Sequence, residues 1–191
     1  MGIPYLKNLP WSRWTRDERY FCSILYSQTH HNPAEFASWL IRASTLDLEP
    51  AGNWDLGYEV CFYRDFLWQL GGSAKHNDLP TKRTFDLCLF GERALIVIEA
   101  KVSEAFDAAQ NQDFGRDKER IKSLPGLGDL EVRVVALASS TYFANAQVYG
   151  HPGTLDIFDG RVSWSQIAQK YPDVLLDQAD RLYKLKPGAF L

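Results

Sequence analysis

Asp86, Glu99 and Lys101 are the residues of this chain whose types and spacing could do chemistry. They lie in RTFDLCLFGERALIVIEAK, where the apolar run Leu95-Ile96-Val97-Ile98 leads straight into Glu99 and Lys101, one residue apart. A buried charge is unfavourable unless it is paired or bound to something. A hairpin across Thr84–Phe90 and Ala94–Val102, with Gly91-Glu92 as a two-residue type II′ turn, pairs positions that sum to 183. Asp86 then faces Val97, Thr84 faces Glu99 and Lys82, if the strand reaches it, faces Lys101; alternation puts all six on one sheet face. Asp86 and Glu99 become diagonal neighbours about 7–8 Å apart, within reach of one divalent cation with oxygen ligands at roughly 2.0–2.5 Å. The two opposed lysines would repel unless an anion sits near them. A cation site beside an anion site is what a phosphodiester held at a metal ion needs. A turn one residue longer or shorter would send Asp86 to the face opposite Glu99.

The elements that must position these residues are legible as punctuation. Thr15-Arg16-Asp17-Glu18 has capping-box form and opens a helix through Tyr26, and Asn32 with Pro33 opens a second to about Ala43. A third helix is expected from Trp54 to Leu70, stopped by Gly71-Gly72. Its stripe of Glu59, Phe62, Tyr63, Phe66 and Leu70 puts one carboxylate on an aromatic, inward face. After the hairpin come a helix from Glu104 to Ser123 capped by Ser103, a strand in EVRVVALASS, a hairpin around Asp159-Gly160 and a helix near Ser165–Tyr171. The layout is mixed α/β in a single domain, with residues 1–50 as an N-terminal helical layer and 140–191 as a C-terminal hairpin and helix completing it.

Composition narrows the function classes. With 191 residues, 46% hydrophobic and 14% aromatic, the chain is a folded globular domain. It has no apolar run near the roughly 18 residues of a membrane span and no signal-like apolar core in MGIPYLKNLPWSRW, so no membrane partner and a cytoplasmic location are expected. Cys22, Cys61 and Cys88 are isolated and read as reduced, buried small hydrophobes. A net charge of -3 argues against coating nucleic acid by bulk electrostatics, so a polyanion must meet a local patch.

Asp86 followed thirteen positions later by Glu99-Ala100-Lys101, on a hairpin followed by a helix and a strand, resembles the PD-(D/E)XK nuclease superfamily with its restriction-endonuclease-like fold. The resemblance spans roughly Trp54 to Ser139, a core of helix, mixed central sheet with β-hairpin, helix and strand, here with extra N-terminal helices. Phe85 stands where the superfamily often has proline. The resemblance implies a magnesium-dependent phosphodiesterase, with manganese as substitute, in which Asp86 and Glu99 bind metal, Lys101 positions or activates the attacking water, and products carry 5′-phosphate and 3′-hydroxyl ends. It also implies a glutamate from the helix before the hairpin. Glu59 is the candidate there, and Glu18 is a weaker rival because its capping-box position already accounts for it.

DNA is the expected partner, with a homodimer suited to cutting two strands. Lys82 and Arg83 are candidate phosphate contacts at the strand start, as are Arg116 and Arg120 one turn apart in the following helix, with Gln112 (and Gln110) lining the cleft. Intrahelical pairing of Asp113 with Arg116 and Asp117 with Arg120 is the better account of at least half of the helix charges. The histidines His30, His31, His76 and His151 fit turns and loops, and the six tryptophans fit the core better than base stacking. The alternative to an enzyme is a non-catalytic nucleic-acid-binding or protein-interaction module on a nuclease-like fold.

Overall fold

Runs such as Leu95–Ile98 and Val132–Leu137 are too short for buried helices and too apolar for a half-exposed sheet. They form central strands covered on both faces. The structure is a computed structural model that describes residues 8, 10–13, 15–70, 80, 82–106, 108–148 and 155–184. Helices α1 (Glu18–Thr29) and α2 (Pro33–Ala43) precede strand β1 (Trp54–Val60), helix α3 (Phe62–Gln69) and the strands β2 (Phe85–Gly91) and β3 (Ala94–Ala100). There follow α4 (Ala108–Lys122), β4 (Glu131–Ala138), α5 (Ser140–Val148), β5 (Gly160–Ser163), α6 (Trp164–Lys170) and α7 (Val174–Arg181). One five-stranded mixed sheet runs in the order β1-β2-β3-β4-β5, antiparallel across the first three strands and parallel from β3 to β5. On one face Leu87, Leu89, Ile96 and Ile98 pack with Phe21, Phe36, Trp164 and Leu176 of α1, α2, α6 and α7. On the other, Cys88, Leu95 and Val97 pack with Phe62, Tyr63 and Ile121 of α3 and α4. No helix of the described residues is long and apolar enough to cross a membrane.

Several expectations are corrected by this architecture. The helix expected over 54–70 divides into β1 and the shorter α3, because Trp54, Leu56 and Tyr58 pair with Gly91, Leu89 and Leu87 in a ladder that outweighs local helical spacing. The Gly71-Gly72 stop lies outside the described residues. Helix α4 starts at Ala108, not Glu104, and Ser103 does not cap it. The expected hairpin at Asp159-Gly160 is a parallel strand: Asp159 docks on β4 through its backbone N–H to the Val134 carbonyl at 2.8 Å and its carboxylate to the Val134 N–H at 2.7 Å, after which β5 runs alongside β4. The C-terminal part of the domain is therefore α5, β5, α6 and α7 rather than a hairpin and a helix. Gly160 serves a close approach, since a Cβ there would lie 2.7 Å from the Ser44 carbonyl.

Two further corrections bear on the site. The turn of the β2-β3 hairpin is Glu92-Arg93, so pairs such as Cys88↔Val97 and Phe90↔Leu95 sum to 185. Gly91 belongs to β2 because Trp54 lies against it; a Cβ would meet the indole at 2.9 Å. The turn slides one position along the chain at unchanged length, which moves the pairing sum by two and leaves the face of every residue as it was. The capping box at Thr15 does not form: Asp17 caps α1 by accepting from the Arg19 N–H at 3.0 Å, and Thr15 accepts from the Asp17 N–H at 3.2 Å. Glu18 is the first residue of the helix, and the cap does not use its side chain.

Candidate active site

The β2-β3 register, continued one pair beyond Leu87↔Ile98, brings Asp86 directly opposite Glu99, closer than the diagonal expected from the earlier turn position. On the other side, Tyr58↔Leu87 and Val60↔Phe85 bracket Glu59 opposite Asp86. Glu59, Asp86 and Glu99 thus occupy one row across β1, β2 and β3. Glu59 stands in a strand and not on the expected helix, with φ of 54°, a left-handed conformation that an L-residue with a Cβ adopts only under constraint. The next residue but one after Glu99 is Lys101, fixed by its own backbone. Its N–H donates to the Leu137 carbonyl at 2.8 Å, and its carbonyl accepts from the Trp164 indole at 3.0 Å.

The two central carboxylates are poorly compensated. Glu99 is 6% exposed, and its Oε2 has no hydrogen-bond partner among the described residues. Asp86 accepts the Ala100 N–H through Oδ2 at 2.7 Å. Burial raises the Glu99 carboxyl well above the usual range, and the charge of Asp86 adds to it. Asp86 is raised by burial too, and the hydrogen bond from Ala100 offsets only part of this. The cations nearby are shared. Lys101 reaches Glu18 at 3.4 Å, and Arg83 donates to Asp117 at 2.9 Å while lying 3.9 Å from Glu99. Beside this cluster the thiols of Cys22 and Cys88 are pushed up by burial and by the carboxylates, which keeps them protonated and unreactive; all three cysteines are buried and none forms a disulfide.

Such an arrangement can take up positive charge. Among the described residues no three His, Cys, Asp or Glu side chains already stand together as a metal-ligand set. The donor chemistry nevertheless fits magnesium, a hard cation usually held by one or two carboxylates plus substrate phosphate and water. An unpartnered buried carboxylate oxygen beside a second carboxylate is the observation that carries this fit.

The remaining candidates scatter. Glu59 pairs with Arg19 at 3.4 Å. Lys82 is an exposed turn residue before β2 begins, so it does not face Lys101. Arg83 is engaged inside the protein by Asp117, Phe85 and Phe114. Arg116 pairs with Asp113 at 3.8 Å, as the intrahelical reading has it. Asp117, however, turns to Arg83 and Tyr63 and not to Arg120, which is half-buried. The Gln110 and Gln112 side chains lie outside the described residues. Of the tryptophans, Trp164 is fully buried, while Trp68 on α3 is 84% exposed.

Three residues gain a place that spacing alone did not assign. Glu18 joins the site through Lys101 once its capping role falls away. Asp117 joins it through Arg83, whose Nε donates to it at 2.9 Å, and Tyr63 through the hydrogen bond that its hydroxyl donates to Asp117 at 2.9 Å. A signal for Asp117 was present: Phe114, Asp117 and Ile121 form the buried stripe of α4, so it is a carboxylate on an apolar face. No protein-family model matches the chain, and no curated protein sequence matches it.

Proposed function

We propose that this protein is a magnesium-dependent nuclease of the PD-(D/E)XK type with a restriction-endonuclease-like core, hydrolysing phosphodiester bonds in DNA. The observation that carries the reading is the buried, unpartnered Glu99 oxygen opposite Asp86, with Lys101 at the end of the same strand. The order of elements supports it as well: an antiparallel meander β1-β2-β3, then α4, then β4 parallel to β3.

Asp86 and Glu99 would hold the cation, with Glu59 and Glu18 as flanking carboxylates. Magnesium bound there would lower the pKa of a water molecule and offset charge developing on the phosphoryl group. Lys101 does the work of orientation. Its backbone is pinned on both sides and its ammonium is held by Glu18, so its donors can steer a water or a phosphoryl oxygen. Cys88 and Val97 line the sheet behind the acids, and this apolar floor excludes water and strengthens the local field. With Arg83 and Arg116 engaged in ion pairs, the backbone of the nucleic acid is left to Arg120 and Lys82. A homodimer would supply one such site for each strand.

The test is cleavage of a panel of linear, circular and single-stranded DNA and RNA with Mg²⁺, Mn²⁺ or EDTA. Metal-dependent cleavage that disappears in Asp86→Ala and Lys101→Ala, with both variants folded, supports the proposal. Metal-dependent cleavage retained in either variant refutes the assignment, and silence of the folded wild-type protein across the panel favours a non-catalytic binding module.

A further inference from the structure

Arg83 is enclosed to a degree that a phosphate contact does not explain. Its guanidinium lies over two aromatic rings, 5.0 Å from the Phe85 centroid and 4.7 Å from that of Phe114. Nε donates to Asp117 Oδ2 at 2.9 Å, and the Tyr63 hydroxyl donates to Asp117 Oδ1 at 2.9 Å, so both oxygens of that buried carboxylate are engaged. Nη1 stops 3.9 Å from Glu99 Oε1, beyond hydrogen-bond distance, and Nη2 is buried without a partner among the described residues. A guanidinium beside a carboxylate ordinarily closes a two-pronged fork on it. Here the fork is split: one nitrogen is committed to Asp117, and the others are held short of Glu99.

We propose that Asp117 and Tyr63 restrain Arg83 so that it positions the Glu99 carboxylate without occupying Oε2, the oxygen left for a divalent cation. The inference rests on the nuclease reading and deepens it by assigning Arg83, Asp117 and Tyr63 as positioning residues. The restraint is mechanical as well as electrostatic, because Phe85 and Phe114 pack against the guanidinium while Asp117 holds its Nε. With Asp117 neutral, Arg83 is released to fork onto Glu99 and compete with the cation. Arg83 is thus both a steering charge and a potential competitor, and Asp117 decides which.

Two measurements on the full chain test this. In EDTA, unfolding midpoints are compared for Glu99→Gln, Asp117→Asn and the double variant, each with Arg83 present and with Arg83→Met. The expected result is a double-variant shift that departs from the sum of the singles when Arg83 is present and becomes additive with Arg83→Met; additivity with Arg83 in place overturns the relay. Calorimetric titration with Mn²⁺ is the second. Asp117→Asn should weaken binding by about 10-fold or more, Tyr63→Phe by less, and Arg83→Met added to Asp117→Asn should recover most of the loss. Unchanged affinity, or a loss that Arg83→Met does not relieve, overturns the inference. Should Asp117→Asn fail to fold, Tyr63→Phe with and without Arg83→Met carries the same comparison. A wild-type chain that takes up no Mn²⁺ overturns the metal reading itself, and the EDTA comparison then decides separately whether Arg83 links the two carboxylates.

Discussion

Replacing Glu99 with glutamine keeps the shape of a buried side chain and removes its charge, and the consequence for stability can be worked out with sign and size. Burial, with the charge of Asp86 added, raises the Glu99 carboxyl from 4.5 to about 8. The folded chain therefore holds a proton that the unfolded chain, with an ordinary value near ~4.3, releases. Its contribution is full below about pH 4 and is lost as pH rises through about 8. At about 1.4 kcal/mol per pH unit the whole effect is bounded near ~5 kcal/mol. Asp86, raised to about 6 mainly by burial, shares the mutual repulsion, so roughly 2 kcal/mol is a fair share for Glu99 alone. In EDTA at pH 9, Glu99→Gln should therefore raise Tm by about 4–8 °C in a chain of this size. At pH 4, just below the unfolded value, the two proteins should melt within about 1 °C of each other. Mn²⁺ should raise the Tm of the wild type at pH 8 and leave that of the variant in place. Differential scanning calorimetry from pH 4 to 9 reads all of this. A loss of stability for Glu99→Gln that is equal at both ends of the range would refute the reasoning, since it would mean that Glu99 is a satisfied structural carboxylate.

Other expectations follow from single contacts. Glu18→Gln should lower metal-dependent turnover by about 10-fold without abolishing it, the order found when the partner of a site residue is removed; steady-state kinetics beside Lys101→Ala would check this. At Glu59, whose φ of 54° disfavours any side chain, Glu59→Gly should be more stable than Glu59→Ala by about 1 kcal/mol, and equal urea midpoints would contradict the backbone argument. Gly160→Ala should destabilise the protein by about 1–3 kcal/mol in thermal melts, because the new methyl meets the Ser44 carbonyl and Cβ at the end of α2.

How much of the site was legible depends on which kind of information each residue carried. The shared face of Asp86 and Glu99 survived a misplaced turn, because alternation has period two and the turn slid by one residue at unchanged length. The cap of α2 at Asn32 and the start at Pro33 were equally local, and both stand. Glu59 was read on a helical stripe and lies in a strand, where the pairing of β1 with β2 places it in the same row as Asp86. Glu18 was set aside for a capping box that Asp17 displaced.

The amino-acid sequence by itself determined the residue types, the hairpin parity and the apolar strands that bury the acids, because these depend on neighbours one to four positions away. Only the tertiary structure decided that 54–60 is an edge strand, that 160–163 runs parallel to β4, and that the Arg83 guanidinium is engaged by Asp117. Those outcomes turn on partners about 25 to 40 positions apart, whose competition for a strand edge or a guanidinium leaves no periodic trace in the chain.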